Sequence, residues 1–355
     1  MSGMRELFRW ESNPFSFRIL PETFVGHETE INRILDGVTN GTKYTLVLGP
    51  TGSGKTTLLK HLYNKFHDKE QFKHVFYLSK PPKDPVDWVM VMEDITHKGL
   101  LSFIFSAKKK GINLYNLSDE VSKKLVKDRC LMLIDECHEA SIDSLEWLRA
   151  LTDQIDNLYI VIAGLPIFDK MLKSSLETLM RRFTTTIELM NLTKSETREL
   201  IKRRIEYFGG TDIHPFTHNT LDFIYEQSGG FPREILRLCD ELTHKALEKR
   251  ISTIDLDFLK ESDVSRGRLS LDSLNHLPDK QKLILEVLAE GEDMTPNEII
   301  DRMGLEEYKD KDNAVRSINN LLRRLMKDKL VERKRIGKTY KYRITGAIRT
   351  LMVEA

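Results

Sequence analysis

The feature that most constrains this chain is a glycine-rich octapeptide, GPTGSGKT, at residues 49–56. It satisfies every defined position of the pattern G-x-x-x-x-G-K-[ST], in which backbone N–H groups close around the β-phosphate of a nucleotide. We expect Lys55 to reach the β- and γ-phosphate oxygens. Thr56 would offer its hydroxyl to Mg²⁺ at a helix N-terminus that already favours anions. The motif predicts a nucleoside triphosphate site.

The segments around this loop have the character that the motif requires. Residues 44–48 are apolar and β-prone, and residues 57–62 have the apolar spacing of a helix. Strand and helix patterns then alternate to about residue 189, and this alternation predicts an α/β fold with a parallel sheet. Three further strands are predicted, at residues 74–78, 131–134 and 159–163.

Two acidic residues follow the apolar strand at 131–134, namely Asp135 and Glu136. The strand would hold both carboxylates at the C-terminal edge of the sheet, beside the phosphate loop. We expect Asp135 to bind Mg²⁺, directly or through water, and Glu136 to orient or deprotonate an attacking water. The predicted cofactors are ATP or ADP and Mg²⁺, and the predicted reaction is ATP hydrolysis.

Composition and length exclude several classes of protein. The 355 residues suffice for two or three domains, and 55 basic against 54 acidic residues leave a net charge of only +1. The three cysteines do not make a disulfide framework, and Cys130 and Cys137 lack structural zinc spacing. The sequence has no signal-peptide pattern and no apolar stretch of membrane length. We expect a cytoplasmic, nucleoid-associated protein without a membrane partner.

The C-terminal quarter has a separate organisation. Helical patterns lie at residues 280–288, from residue 295 onward and at 313–327, and two strand patterns at 330–335 and 339–344 flank Gly337. Three helices and a hairpin predict a winged helix, whose third helix enters a DNA major groove.

The charge of this quarter favours double-stranded DNA as its partner. From Lys309 to Arg343 there are 13 Lys and Arg against 4 Asp and Glu, an excess worth several phosphate contacts. Spacing alone does not show which of these residues face DNA. The candidates are Arg316, Arg323, Arg324, Lys327, Arg333, Lys334, Arg335, Lys338, Lys341 and Arg343.

These motifs together resemble those of AAA+ ATPases over most of the chain. Residues 24–31, FVGHETEI, are similar to the family's V-G-R-E-x-E segment, with His27 where the family usually has Arg. The resemblance implies that Phe24 and Val25 contact adenine, although core packing is an equally good role for them. It implies a nucleotide-binding domain at 1–190, a small α-helical lid domain at 191–262, and a linker with the winged helix at 263–355.

The same resemblance implies roles for arginines. Residues 179–183, LMRRF, are similar to the S-R-F box, so Arg182, or else Arg181, would be an arginine finger reaching a neighbouring subunit's γ-phosphate. Catalysis would then need self-association. Residues 227–238, QSGGFPREILRL, resemble the sensor 2 motif, in which Arg233 would link nucleotide state to the lid.

The assigned site residues can now be collected. The catalytic residues are Glu136, Lys55, Arg182 and Arg233. The nucleotide-binding residues are Gly49, Pro50, Thr51, Gly52, Ser53, Gly54, Lys55, Thr56, Thr57, Asp135, Phe24, Val25 and Arg233. The metal ligands are Thr56 and Asp135.

One family position is not matched. AAA+ proteins usually place Asn, Thr or Asp near the end of the fourth strand, whereas this sequence reads AGLP at residues 163–166. The departure implies slow hydrolysis, with the nucleotide acting as a switch.

The order of nucleotide module, lid and winged helix resembles archaeal and eukaryotic origin-recognition and replication-initiator ATPases. This implies a replication initiator that works with other replication or recombination proteins. Such initiators also have a helical insertion ahead of the acidic strand. Lys108, Lys109 and Lys110 fall in the corresponding stretch, where they either form a solvated helix end or contact DNA phosphate.

Two alternatives stay open. Regulators of transposition and other mobile-element processes have similar I-D-E-x-H and A-G-L-P stretches, here at residues 134–138 and 163–166. A signalling NTPase would use the winged helix for protein contacts.

Overall fold

A computed structural model describes residues 2–96, 112–262, 278–290, 293–303, 311–327, 330–336 and 339–345. The chain divides into two compact units, Met1–Ser262 and Asp263–Ala355. The expected boundary between nucleotide-binding domain and lid, at 190 and 191, falls within the first unit and stays a prediction. The three lysines at 108–110 lie outside the described residues.

A five-stranded parallel sheet forms the centre of the first unit, which confirms the predicted α/β class. The strand order is β2-β3-β4-β1-β5. The first four strands match the predicted ones within a residue at each end. The fifth was not predicted, because only four residues with two threonines form it and they carry little apolar signal. The strands are β1 (Tyr44–Leu48), β2 (His74–Leu78), β3 (Cys130–Ile134), β4 (Leu158–Gly164) and β5 (Thr185–Glu188).

Helices cover both faces of this sheet, so β1, β3 and β4 are buried along their whole length. One apolar cluster packs Leu46, Ile134 and Ile160 under the helices of one face, and a second packs Val47, Leu133 and Val161 under those of the other. The helices are α1 (Ser2–Phe8), α2 (Glu28–Thr39), α3 (Lys55–His67), α4 (Asp87–Thr96), α5 (Leu117–Lys124), α6 (Ile142–Gln154), α7 (Pro166–Ser175) and α8 (Glu177–Met180).

Four further helices follow the sheet, as predicted for a helical lid: α9 (Lys194–Tyr207), α10 (His218–Ser228), α11 (Pro232–Glu248) and α12 (Leu256–Glu261). The turn between α10 and α11 spans residues 229–231 and contains Gly229 and Gly230, both with positive φ. The Gly230 carbonyl accepts a hydrogen bond from the Leu192 N–H at 2.9 Å, which joins this turn to the chain leaving the sheet.

Residues 9–20, here called the N-terminal arm, pack on the lid helices. Trp10 and Phe15 are fully buried, and the Phe15 ring lies edge-on to Phe216, with 5.6 Å between ring centroids. The Asn13 amide donates to the Asp240 carboxylate on α11 at 2.5 Å. The arm is therefore part of the lid's core.

The second unit contains three helices and an antiparallel hairpin, the order of a winged helix. The elements share one core. Met294 and Tyr342 exchange two backbone hydrogen bonds of 2.9 and 2.7 Å, an isolated antiparallel bridge that joins the segment before the second helix to the hairpin. The elements are α13 (Asp279–Glu290), α14 (Pro296–Met303), α15 (Lys311–Lys327), β6 (Val331–Ile336) and β7 (Thr339–Ile344). Among the described residues, no helix has the length and apolar character needed to cross a membrane.

The turn at Gly230 offers a test of the packing between lid and sheet. A Cβ at Gly230 would lie 2.1 Å from the Leu192 carbonyl oxygen, whereas a Cβ at Gly41, also at positive φ, would meet no atom within 4 Å. We expect Gly41→Ala to lower the free energy of unfolding by about 1 kcal/mol, from backbone strain alone. Gly230→Ala should cost about 1–3 kcal/mol more, because it adds overpacking. Denaturant unfolding of both variants measures the difference, and equal losses would contradict this account of the turn.

Candidate nucleotide site and basic groove

The glycine-rich loop follows β1 and leads into α3, whose first residue is Lys55. The Lys55 ammonium donates to the carbonyls of Gly49 and Pro50 at 2.7 and 2.8 Å. Burial lowers the pKa of this ammonium, and the nearby carboxylates of Glu136 and Asp135 oppose that shift. A buried cation held inside a loop of backbone N–H groups is a site for phosphate oxygens, which would compete with the two carbonyls.

A second feature of the loop fits a phosphate. The Ser53 hydroxyl is buried and has no hydrogen-bond partner among the described residues. A Cβ at Gly49 would lie 2.6 Å from that hydroxyl, so only glycine leaves it room. Buried hydroxyls are rarely left unpaired in proteins, and a bound phosphate would supply the missing acceptor.

Asp135 lies at the end of β3 with only 2% of its surface exposed. One carboxylate oxygen accepts hydrogen bonds from the Thr56 hydroxyl at 2.5 Å and the Tyr77 hydroxyl at 3.3 Å, and the other accepts from the Glu136 N–H at 2.9 Å. Thr56 and Asp135 thus form the pair of adjacent oxygens that Mg²⁺ prefers, so the predicted metal ligands fit that ion.

Tyr77 was missed by the sequence analysis. It is the fourth residue of β2 and pairs with Leu133 of β3, so its ring lies beside the acidic end of β3. Burial and the charge of Asp135 raise the pKa of its hydroxyl, which therefore stays a hydrogen-bond donor to the carboxylate. A tyrosine near the carboxyl end of a neighbouring parallel strand was the available signal.

Glu136 has a left-handed backbone conformation, with φ of 51°, and its side chain is one third exposed. The carboxylate lies 3.4 Å from the Nδ1 atom of His138. The Asp135 carboxylate accepts from the backbone N–H of Glu136 and not from its side chain, and the role of Glu136 toward a water stays a prediction.

Arg233, in the first turn of α11, brings the lid to the loop. A Cβ at Gly52 would lie 2.8 Å from the Arg233 Cβ, so the arginine side chain rests directly on this glycine. The sequence prediction that Arg233 lies near the phosphate loop agrees with this contact, and its role toward the phosphates stays a prediction. A Cβ at Gly54 would be 3.7 Å from the Phe24 ring. Val25 follows Phe24 and is half-buried.

The two candidate finger arginines both form ion pairs within the chain. Arg182 donates to Asp153 at 2.9 Å with half of its side chain exposed, and Arg181 pairs with Glu177 at 2.5 Å. Asp153 also accepts from the Tyr44 hydroxyl at 2.6 Å. Arg182 would have to leave Asp153 to reach a neighbouring subunit, and the finger stays a prediction.

The end of β4 presents no polar side chain, as the sequence indicated. Gly164 closes the strand and α7 begins at Pro166. A Cβ at Gly164 would lie 2.8 Å from the Phe168 ring, so an Asn or Thr could not be accommodated there without repacking.

A groove in the second unit runs between α15 and the hairpin. Its helix residues recur at spacings of three and four, which puts them on one face. Arg316 and Arg323 form no ion pair or hydrogen bond with another described residue, so their charges are available to a ligand. The Arg333 guanidinium lies over the exposed Tyr340 ring, 4.5 Å from its centroid. The lining residues are Arg316, Asn319, Asn320, Arg323, Met326, Arg333, Tyr340 and Tyr342.

The hairpin register divides the basic residues of the wing between two faces. Arg333 pairs with Tyr342, which is buried in the core, so Arg333 and Arg335 lie on the groove side. Lys334, Lys341 and Arg343 lie on the opposite side, where Arg343 donates to Glu332 at 2.6 Å.

The remaining candidates for DNA contact are on α15 and in the hairpin turn. Arg324 is exposed beside the groove without lining it. Lys327 ends α15, but its side chain is outside the described part, as is all of Lys338. Asn319 and Asn320 were missed by the sequence analysis, although their helical spacing from Arg316 and Arg323 was a usable signal.

Comparisons with known proteins agree with this architecture. Residues 39–172 match the AAA domain family. A curated relative, described as an uncharacterised HTH-type transcriptional regulator of Methanocaldococcus jannaschii, is 25% identical over 324 residues, with 78% of each chain covered.

Solved structures show the same fold. The ORC2 protein of Aeropyrum pernix, in ADPNP–ADP complexes, is 15% identical with a TM-score of 0.57, covering 96% of both chains. Cdc6p of Pyrobaculum aerophilum is 16% identical with a TM-score of 0.53, covering 96% of this chain and 97% of that one. The ORC1 protein of Aeropyrum pernix, solved in complex with DNA, is 15% identical with a TM-score of 0.51, covering 98% and 97%.

These findings confirm the expected resemblance to AAA+ ATPases of the archaeal origin-recognition type at the level of fold. The AAA-domain match lies within the first unit and spans the phosphate loop, β3 and β4.

Proposed function

We propose that this protein is an ATP-dependent switch that binds double-stranded DNA through its winged helix, as a replication initiator of the origin-recognition type. The observation that carries the proposal is the meeting of Lys55, Thr56 and Asp135 at one edge of the sheet, with Arg233 of the lid resting on the same loop. Support also comes from the solved ORC2 protein, whose complexes contain ADPNP and ADP.

Different residues of the site would bind the phosphates, hold the metal ion and act on the attacking water. Lys55 exchanges its two carbonyl partners for phosphate oxygens, and the loop N–H groups bind the β-phosphate. Thr56 and Asp135 would hold Mg²⁺, and that ion would supply neutralisation of the phosphate charge. Tyr77 fixes the orientation of the Asp135 carboxylate. Glu136 orients or deprotonates the attacking water.

Hydrolysis in this account is slow. Positioning of the attacking water is shared between groups in phosphoryl transfer, and Gly164 supplies none at the end of β4. Arg182 would add transition-state stabilisation only in an assembly of subunits, after breaking its ion pair with Asp153. Slow turnover suits a switch, because the ATP-bound state then persists long enough to control another process such as DNA binding.

The groove of the second unit is the proposed DNA-binding surface. Three arginines line it, and the third helix of a winged helix enters a major groove. Arg316 and Arg323 would contact bases or phosphates, and Arg333 and Arg335 would follow the backbone from the wing. Lys334, Lys341 and Arg343 lie on the opposite side of the hairpin and would contribute to the overall positive field only.

Two asparagines give this surface the means to read sequence. Asn319 and Asn320 lie in the middle of α15, where asparagine costs up to about 0.7 kcal/mol relative to alanine. Neither amide hydrogen-bonds to another described residue. Asparagine amides bind adenine N6 and N7, and arginines bind guanine O6 and N7. A surface with both types favours a discrete DNA site over uniform coverage.

The groove assignment predicts unequal effects of removing basic residues. We expect Arg316→Ala with Arg323→Ala to weaken duplex binding at least about thirtyfold and to reduce the salt dependence of the binding constant. Arg343→Ala should cost less than either single change. Fluorescence anisotropy with a labelled duplex at several salt concentrations measures both effects.

A control for that experiment removes two charges elsewhere. Lys123→Ala with Lys173→Ala alters the net charge equally, and both lysines are exposed in the first unit and paired with carboxylates. If this control lost as much affinity as the groove variant, binding would be a general charge effect. Duplex binding unaffected by the groove changes would favour a signalling NTPase with a protein-binding winged helix.

Sequence reading by the asparagines has its own test. Selection from a random duplex library with the full chain should enrich a motif with adenine at one or two positions, discriminated about 5- to 150-fold each. Asn319→Ala with Asn320→Ala should lose the adenine preference and keep duplex binding. Enrichment of no motif would contradict the proposal and would favour the mobile-element alternative.

A further inference from the structure

An exposed aromatic side chain lies against Arg233, the lid arginine that rests on the phosphate loop. Phe17, in the N-terminal arm, has 58% of its surface exposed, while Phe15 beside it is fully buried. The guanidinium carbon of Arg233 lies 5.5 Å from the centre of the Phe17 ring. Leaving a phenylalanine side chain exposed forgoes the hydrophobic free energy of burial, so its contact with a charged side chain indicates a role other than core packing.

The main chain on both sides of Phe17 is held by a buried arginine. Arg204 of α9, only 4% exposed, donates to the Ser16 carbonyl at 2.7 Å and to the Arg18 carbonyl at 3.2 Å. A third bond, to the Pro14 carbonyl, is 2.6 Å long. Burial lowers the pKa of Arg204 to about 10, so it stays charged at neutral pH. Charge-assisted bonds to both neighbours fix the backbone of Phe17.

The arm that carries Phe17 is also joined to α11, the helix that carries Arg233. Asn13 in the arm donates to Asp240 of α11 at 2.5 Å. The Glu11 N–H donates to the carbonyl of Phe208, next to α9, at 2.9 Å. The arm with Phe17 and the helix with Arg233 therefore belong to the same packed group of lid elements, and the two residues would move together if the lid moved.

Arg233 itself has few other constraints. Its stem lies on Gly52, and its guanidinium forms no hydrogen bond or ion pair with a described residue. An arginine side chain free in water carries about 2 kcal/mol of rotamer entropy. A guanidinium that lies over a ring keeps its N–H donors in its own plane, so they remain available to phosphate oxygens.

We propose that Phe17 is a positioning residue that holds Arg233 in advance at the phosphate loop. The inference rests on the proposed function, since it assigns Arg233 to the nucleotide phosphates. Arg204 fixes the arm, the arm fixes the Phe17 ring, and the ring restricts the guanidinium. ATP binding then loses less side-chain entropy than it would with an unrestrained arginine.

The proposal predicts a small loss that depends on Arg233. An exposed cation–π contact contributes about 0.5–1 kcal/mol, which corresponds to an affinity change of about two- to fivefold. We expect Phe17→Leu to weaken ATP binding by that factor and Phe17→Tyr to restore most of it, because tyrosine keeps the aromatic face. In a chain that already has Arg233→Ala, adding Phe17→Leu should change nothing.

The experiment measures equilibrium binding of a fluorescent ATP analogue to the full chain for these variants. Tyr115→Leu serves as a matched control, since Tyr115 is exposed and distant in sequence from the loop. Thermal unfolding checks that Phe17→Leu leaves the arm folded. A similar loss from Phe17→Leu with and without Arg233 would overturn the proposal and assign Phe17 to direct nucleotide contact.

Two further outcomes separate this inference from the proposed function. If Arg233→Ala weakens ATP binding and Phe17→Leu does not, only the positioning role fails. If Arg233→Ala itself leaves ATP affinity unchanged, the assignment of Arg233 to the phosphates fails, and the role of Phe17 fails with it.

Discussion

The hydrogen bond between the Thr56 hydroxyl and the Asp135 carboxylate is the interaction on which the site depends. The two residues are 79 positions apart, and only the parallel strand order β3-β4-β1 brings the ends of β3 and β1 to one edge. Because both strands are buried on both faces, the carboxylate and the loop cannot shift relative to each other without disturbing the core. A hard cation and a polyphosphate can be held there by groups that are already in place.

The lid also constrains the phosphate loop, through residues near the C-terminal end of the first unit. The glycine turn before α11 is bonded to Leu192, and Arg233 follows it onto Gly52. The N-terminal arm is packed into the same lid, so residues from both ends of the unit meet beside the phosphate loop. Phosphate binding at this place would act on the lid through one arginine, which is the basis for proposing a switch.

Local sequence patterns predicted much of the fold and the nucleotide site, whereas contacts between residues far apart in the sequence could not be predicted. The octapeptide, four strands and the acidic pair were readable because each is a short run with its own period. The position of Phe17 could not be predicted, because it depends on hydrogen bonds from Arg204 to carbonyls nearly 190 residues away in the sequence. The pairing of Arg182 with Asp153 was hidden for the same reason. In the hairpin, the alternation of side chains along a strand predicts that Arg333 and Lys334 lie on opposite faces. Only the buried position of Tyr342, which pairs with Arg333, shows which of these faces is turned toward α15.

The most direct test of the central claim compares ATP binding and single-turnover hydrolysis for wild type, Lys55→Ala and Glu136→Gln in the presence of Mg²⁺. The account predicts that Lys55→Ala loses ATP affinity by at least about a hundredfold, because the loop loses its only buried cation among the described residues. Glu136→Gln should bind ATP normally and fail to hydrolyse it. Tight ATP binding by Lys55→Ala, or unchanged hydrolysis by Glu136→Gln, would contradict the assignment of this site.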